Sequence, residues 1–162
     1  MKIAIISDTH DNIPNIEKLL SFLKKEGIKT IIHCGDVCNI EVIKKLEENF
    51  KSKIYLTLGN ADLREKIKQE IKNIKLFEDY GEIDIESLKI AFCHKPILAE
   101  KISQEKKYDF IFHGHTHKPW LKKNGNCIIA NPGNLAGVVF KPTFAILDTE
   151  TRKLSLKILE KI

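Results

Sequence analysis

Residues 2–27, KIAIISDTHDNIPNIEKLLSFLKKEG, decide the reading of the fold. The run KIAIIS (2–7) is short, apolar and rich in β-branched residues, and it stops at the polar DTHDN. That is the pattern of a buried strand feeding a loop. Asn12 can cap a following helix and Pro14 suits its first turn. Ile16, Leu19, Leu20 and Leu23 then recur at three- and four-residue spacing until Gly27 ends the run. The unit is strand, loop, helix, and its loop carries Asp8 and His10.

Working outward, the same grammar repeats. KTIIHC (29–34) is a second buried strand and IEVIKKLEENF (40–50) a second amphipathic helix; KIYLTLG (53–59) is a third strand, with a helix from about 62 to 72 behind it. Strands alternating with helices in this way predict a parallel sheet. Beyond Asn73 the pattern changes. IDIESLKIAFCH (83–94) reads as two strands joined at Glu86-Ser87, followed by a helix near 97–106 and the strand YDFIFHG (108–114). CIIANPG, TFAILDTE and KLSLKIL complete a mostly antiparallel second half. Two mixed sheets packed face to face with helices outside, an α/β sandwich layered α-β-β-α, would bury these runs on both sides. No linker, repeat or low-complexity stretch divides the chain, so residues 1–162 are read as a single domain.

The net charge of +5 comes from lysines scattered along the chain, as in the pairs at 24/25, 44/45, 106/107 and 122/123, with Arg64 and Arg152 the only arginines. Scattered lysine describes a solvated surface. A nucleic-acid footprint would cluster Arg with aromatics, so dedicated nucleic-acid binding is not expected. The apolar start is too short for a signal peptide or for the ~20 residues of a membrane span, which predicts an unprocessed, cytoplasmic protein without membrane contact. Cys34, Cys38, Cys93 and Cys127 form no CxxC pair and are read as reduced thiols.

In open α/β sheets, sites form beyond the carboxyl ends of the strands. Five strand ends here deliver metal-ligand types: Asp8 and His10; Asp36; Asn60 and Asp62; His94; His115 and His117. Taken singly, each fits an ordinary turn or cap. Together they point to a metal centre. In extended backbone, residues two apart face the same way, so Asp8 with His10, and His115 with His117, could each grip one ion. Carboxylate, imidazole and amide ligands suit Mn, Ni, Fe, Co or Zn. So many ligand types exceed one tetrahedral ion and suit two divalent transition-metal ions, about 3.5–4 Å apart, sharing Asp36. His33 and His113 are read as core or supporting histidines.

The blocks DTH (8–10), GD (35–36), GNAD (59–62), His94 and GHTH (114–117) resemble, in order, the pattern of the calcineurin-like metallophosphoesterases. The short length, SDTHDN and the late NPGN (131–134) resemble that superfamily's small single-domain prokaryotic phosphodiesterase branch. The resemblance implies a four-layer α/β sandwich with its site at one edge. It implies Asp8, His10, Asp36 and His117 on one metal and Asp36, Asn60, His94 and His115 on the other, with Asp62 orienting a neighbouring histidine. The chemistry so implied is hydrolysis of a small phosphodiester by in-line attack of a metal-bridging hydroxide, with Asp36, Asn60 and Asp62 in the catalytic machinery. Asn134 and the backbone of NPGN are candidates for touching the phosphate.

Two positions depart from the family pattern. Ala61 stands where the family commonly has a histidine that protonates the leaving oxygen, which favours substrates with good leaving groups. In CHKP (93–96), Pro96 replaces a second histidine, and Lys95 is read as exposed. The alternative reading is a protein-interaction scaffold, since a retromer subunit of eukaryotes resembles the same fold and also lacks that histidine. Oligomeric state is left open, a homo-oligomer included.

Overall fold

Alternation along the strands sorts the apolar residues into three cores. In β1 (Lys2–Ile6), Ala4 and Ile6 face one way and Ile3 and Ile5 the other. The first pair packs against α1 (Ile13–Lys25) and α2 (Ile40–Asn49), through Ile16, Leu19, Leu23, Val42 and Leu46. The second pair meets a second sheet, through Phe92, Phe110 and Phe112. A third core, of Ala91, Ile111 and Ile129, lies on the far side of that sheet against Ala99 and Ile102 of α4 (Pro96–Glu105). The layers therefore run helix, sheet, sheet, helix, as the sequence predicts. The computed structural model describes residues 1–67 and 72–162.

The first sheet places β2 (Thr30–His33), β3 (Lys53–Thr57) and β4 (Ile74–Phe77) beside β1 in parallel. On its other flank β10 (Thr143–Asp148) and β11 (Lys153–Ile158) run antiparallel. The second sheet has the order β5 (Tyr80–Ile85), β6 (Leu88–Cys93), β7 (Phe110–Phe112), β9 (Cys127–Asn131), β8 (Trp120–Asn124). Its centre, β6-β7-β9, is parallel because α4 carries the chain back between β6 and β7. The second half is thus less uniformly antiparallel than its turn-separated runs suggest. β4 and β8 are edge strands whose side chains are half-buried or exposed, so they lack the apolar run that marks the others. The helix expected from about 62 begins at Arg64 as α3 (Arg64–Ile67); the expected stretch 68–71 lies outside the described residues.

The carboxyl ends of β1, β2 and β3 and those of β6 and β7 open on one edge, where their loops are tied together. Asp8 N–H donates to Gly35 O at 3.0 Å, His10 N–H to Asp36 O at 3.1 Å, and Gly114 N–H to His94 O at 3.0 Å. Beneath these loops His33, the last residue of β2, is fully buried. Its Nδ1 accepts from Gly35 N–H at 3.2 Å, so the proton sits on Nε2, 3.2 Å from Thr9 Oγ1, which in turn donates to Asp36 O at 3.3 Å. Burial pushes this ring down to about 3.

His33 stays neutral in the fold while an unfolded chain takes up a proton below about 6.5, so its share of stability is present above pH 6.5 and is lost as pH falls toward 3. Urea unfolding should show that share shrinking by up to about 1.4 kcal/mol per pH unit in this window. His33→Gln should lose this slope, so the wild-type-minus-variant difference should carry it; a variant with the wild-type slope would place the proton uptake elsewhere.

Candidate metal centre

The loops beyond the strands hold their functional residues in left-handed backbone. Asp8, His10, Asp36, His115 and His117 have φ of 53°, 39°, 59°, 70° and 58°. Each costs about 1–2 kcal/mol relative to right-handed geometry, and Asp and His are among the side chains found there most often. The strands end earlier, at Ile6 and Phe112, so the two-residue spacing of DTH and GHTH does not act through extended backbone. Asp8 and His10 do share one cluster. His115 and His117 part company, one to each side of the site.

On one side, His117 Nε2 lies 3.3 Å from Asp8 Oδ1 and 3.1 Å from His10 Nε2, and His10 Nε2 lies 3.8 Å from both Asp8 Oδ1 and Asp36 Oδ2. On the other, His94 Nε2 is 3.3 Å from Asp36 Oδ2, 3.0 Å from Asn60 Oδ1 and 3.3 Å from His115 Nδ1. Asp36 Oδ2 therefore stands between His10 and His94. Two groups of possible ligands are close enough to hold an ion: Asp8, His10 and His117, and Asp8, Asp36 and His94. All seven predicted ligand residues converge on this edge.

Asp8 is fully buried and Asp36 nearly so, and both face imidazoles. Among the described residues neither carboxylate has a lysine or arginine partner. Burial raises the pKa of Asp8. For Asp36, burial is outweighed by the bonds from His94 and from the Ala61 N–H, at 2.8 Å on Oδ1, and its pKa falls. His94 is buried too, yet its bond to Asp36 raises it. Its Nδ1 is 2.8 Å from Cys34 O, a group that only accepts, so Nδ1 carries a proton and Nε2 is the atom offered to the site.

The supporting residues are more numerous than the spacing shows. Asp62 accepts from three backbone amides, Cys38 at 2.7 Å, Gly59 at 2.6 Å and Asp36 at 3.0 Å. It clamps two loops together; none of its hydrogen bonds among the described residues goes to a histidine. A Cβ on Gly59 would collide with Asp36 Oδ1 and one on Gly114 with Ser7 Oγ and Asp8, so side-chain-free backbone is required at both. Asn134 is fully buried, its amide spent on His117 O at 3.1 Å and Val138 N–H at 2.9 Å, so it braces the GHTH loop and is closed to a phosphate. Asn131 does the same through Gly114 O, at 2.8 Å, and Thr116 Oγ1, at 3.0 Å. Cys38 Sγ, 3.4 Å from His10 Nδ1, is a neighbour that no spacing rule flags. His113 follows the alternation of β7 to the α4 face, away from the cluster. Lys95 is exposed at the start of α4.

Comparison with known proteins agrees with this arrangement. The family model described as the calcineurin-like phosphoesterase superfamily domain matches residues 1–152. The chain is 36% identical over 167 residues to phosphodiesterase MJ0936 of Methanocaldococcus jannaschii, covering 99% of this chain and 100% of that one. It superposes on a solved archaeal phosphodiesterase with a TM-score of 0.89 at 34% identity, covering 98% of this chain and 99% of the other. It shares the fold of wild-type Vps29 of Entamoeba histolytica, solved with zinc, at a TM-score of 0.71 and 24% identity, covering 97% and 96%. The order of the blocks, the four layers and this end-to-end match lead to one conclusion: the chain belongs to the calcineurin-like phosphoesterase superfamily.

Proposed function

We propose that this protein is a metal-dependent phosphodiesterase that uses two divalent transition-metal ions. Asp8, His10, Asp36 and His117 would hold one ion, and Asp36, Asn60, His94 and His115 the other. One observation carries the reading: two carboxylates, Asp8 and Asp36, are buried side by side among imidazoles and an amide oxygen, with no lysine or arginine partner among the described residues. Such a set is short of positive charge.

The donor set fits such ions. Donors bound at 2.0–2.2 Å around a four- or six-coordinate ion stand about 3.0–3.5 Å apart. The observed separations of 3.0 to 3.8 Å lie close to that range. Ions at this position supply Lewis acidity toward phosphoryl oxygens and lower the pKa of water, the chemistry that in-line hydrolysis of a phosphoester requires. The relatives named as phosphodiesterases support this substrate class.

The chain's own residues position the rest. Asp36 is held by the Ala61 N–H on Oδ1, which leaves Oδ2 turned to both His10 and His94. His94 is fixed by Cys34 O, and Asp8 by the His115 N–H at 3.1 Å. Ala61 contributes its amide and no acid, so the leaving oxygen departs without a proton from that position. A small diester with a good leaving group is the matching substrate. The likeness to Vps29, at 24% identity, is one of fold and adds nothing to the scaffold reading.

After chelation and reloading with Mn²⁺ or Ni²⁺, the protein should hydrolyse bis(p-nitrophenyl) phosphate, and Asp36→Asn should lower kcat/KM at least about 10²-fold with the circular dichroism spectrum retained. Metal-independent hydrolysis, or none with any metal, would overturn the assignment. Ala61→His should raise turnover of an alkyl phosphodiester by about 10²-fold while leaving the p-nitrophenyl ester within a few-fold. No change, or a loss on both esters, would contradict the role given to this position.

A further inference from the structure

On the α4 face of the second sheet lies a pocket of about 390 Å³ lined by Pro96, His113, Thr116, Trp120, Ile129 and Phe140, together with Glu100 and Lys118. The chain links it to the site, since Pro96 is two residues from His94 and Thr116 is next to His115. Its walls are largely apolar, with two aromatic side chains. Its polar groups are mostly spent: Glu100 pairs with Lys122 at 2.9 Å and Thr116 Oγ1 accepts from Asn131.

His113 is the exception. It is 3% exposed; its Nδ1 is 3.1 Å from Gly114 O and carries the proton, while Nε2 is buried with no partner among the described residues. A buried acceptor without a donor is unfavourable and uncommon. Trp120 stands at the pocket's edge, 44% exposed, its ring centroid 5.9 Å from that of His113. A planar ring that displaces the indole from His113 would bring a donor to Nε2. Phe140, also in the lining, follows Val139, a β-branched residue at φ 68°, in a tight turn closed by Phe140 N–H to Val138 O at 2.8 Å.

We propose that this pocket takes one ester group of the substrate, a planar heteroaromatic ring bearing an N–H donor, which is the chemistry of a nucleobase. Stacking on Trp120 and Phe140 supplies the contact, and Nε2 of His113 supplies the selective hydrogen bond. Cleavage of such an ester rests on the phosphodiesterase reading above; occupancy of the pocket does not.

Trp120 is the chain's one tryptophan, so its fluorescence reports on the pocket directly. Adenosine has no phosphate and cannot be hydrolysed as an ester, so its titration reads binding alone, separately from any assay of turnover. It should quench Trp120 saturably, and purine riboside, which lacks the amino group, should bind roughly three- to tenfold more weakly. That gap should vanish in His113→Phe, and Phe140→Ala, at an exposed position, should weaken both ligands. An absence of saturable quenching, equal affinities for the two nucleosides, or unchanged affinities in Phe140→Ala would each overturn the proposal, whatever the outcome of the hydrolysis assays.

Discussion

Two buried carboxylates that have no lysine or arginine among the described residues to neutralise them set the terms for the rest of the molecule. Burying one such charge unpaired is costly, and Asp8 and Asp36 are buried within one cluster. Their surroundings answer with imidazoles and backbone amides: His94 raised and bonded to Asp36, the Ala61 N–H on its other oxygen, and the His115 N–H on Asp8. These groups moderate the charge without cancelling it. A centre of this composition is built to receive cations.

Holding it together demands rigidity elsewhere. Five of the converging residues sit at positive φ, and the strain is borne by loops that would relax if left free. They are not free. Parallel strands pinned between apolar layers fix where each loop begins, and Asp62, Asn131 and Asn134 fix the loops to one another through backbone groups. Gly59 and Gly114 let the loops approach the carboxylates more closely than any side chain permits. Core, loop and site thus form one chain of dependence, in which burial of Ile3, Ile5, Phe92 and Phe112 between the sheets ultimately positions the polar atoms.

Much of this was legible in the amino-acid order because strands buried on both faces and amphipathic helices write strong periodic signals. The runs at β1, β2, β3, β6, β9 and β10 fall where the apolar pattern puts them. The same signal is silent on β4 and β8, whose residues are only half-buried or exposed. The candidate ligand residues were legible as types arriving at strand ends. How they meet was not: the two-residue spacing suggests extended backbone, whereas left-handed turns separate His115 from His117. Asn134 looks like a phosphate contact until its two amide atoms are seen to be used internally, and Asp62 looks like a partner for histidine until its backbone amides are counted. Such tertiary bonds leave no periodic trace in a sequence.

The most direct test of two cations gathered around Asp36 is an anomalous-difference map from a crystal of the manganese-loaded protein. Two peaks about 3.5–4 Å apart are expected, one on each side of the Asp36 carboxylate. A single peak, or peaks away from Asp8 and Asp36, would contradict it.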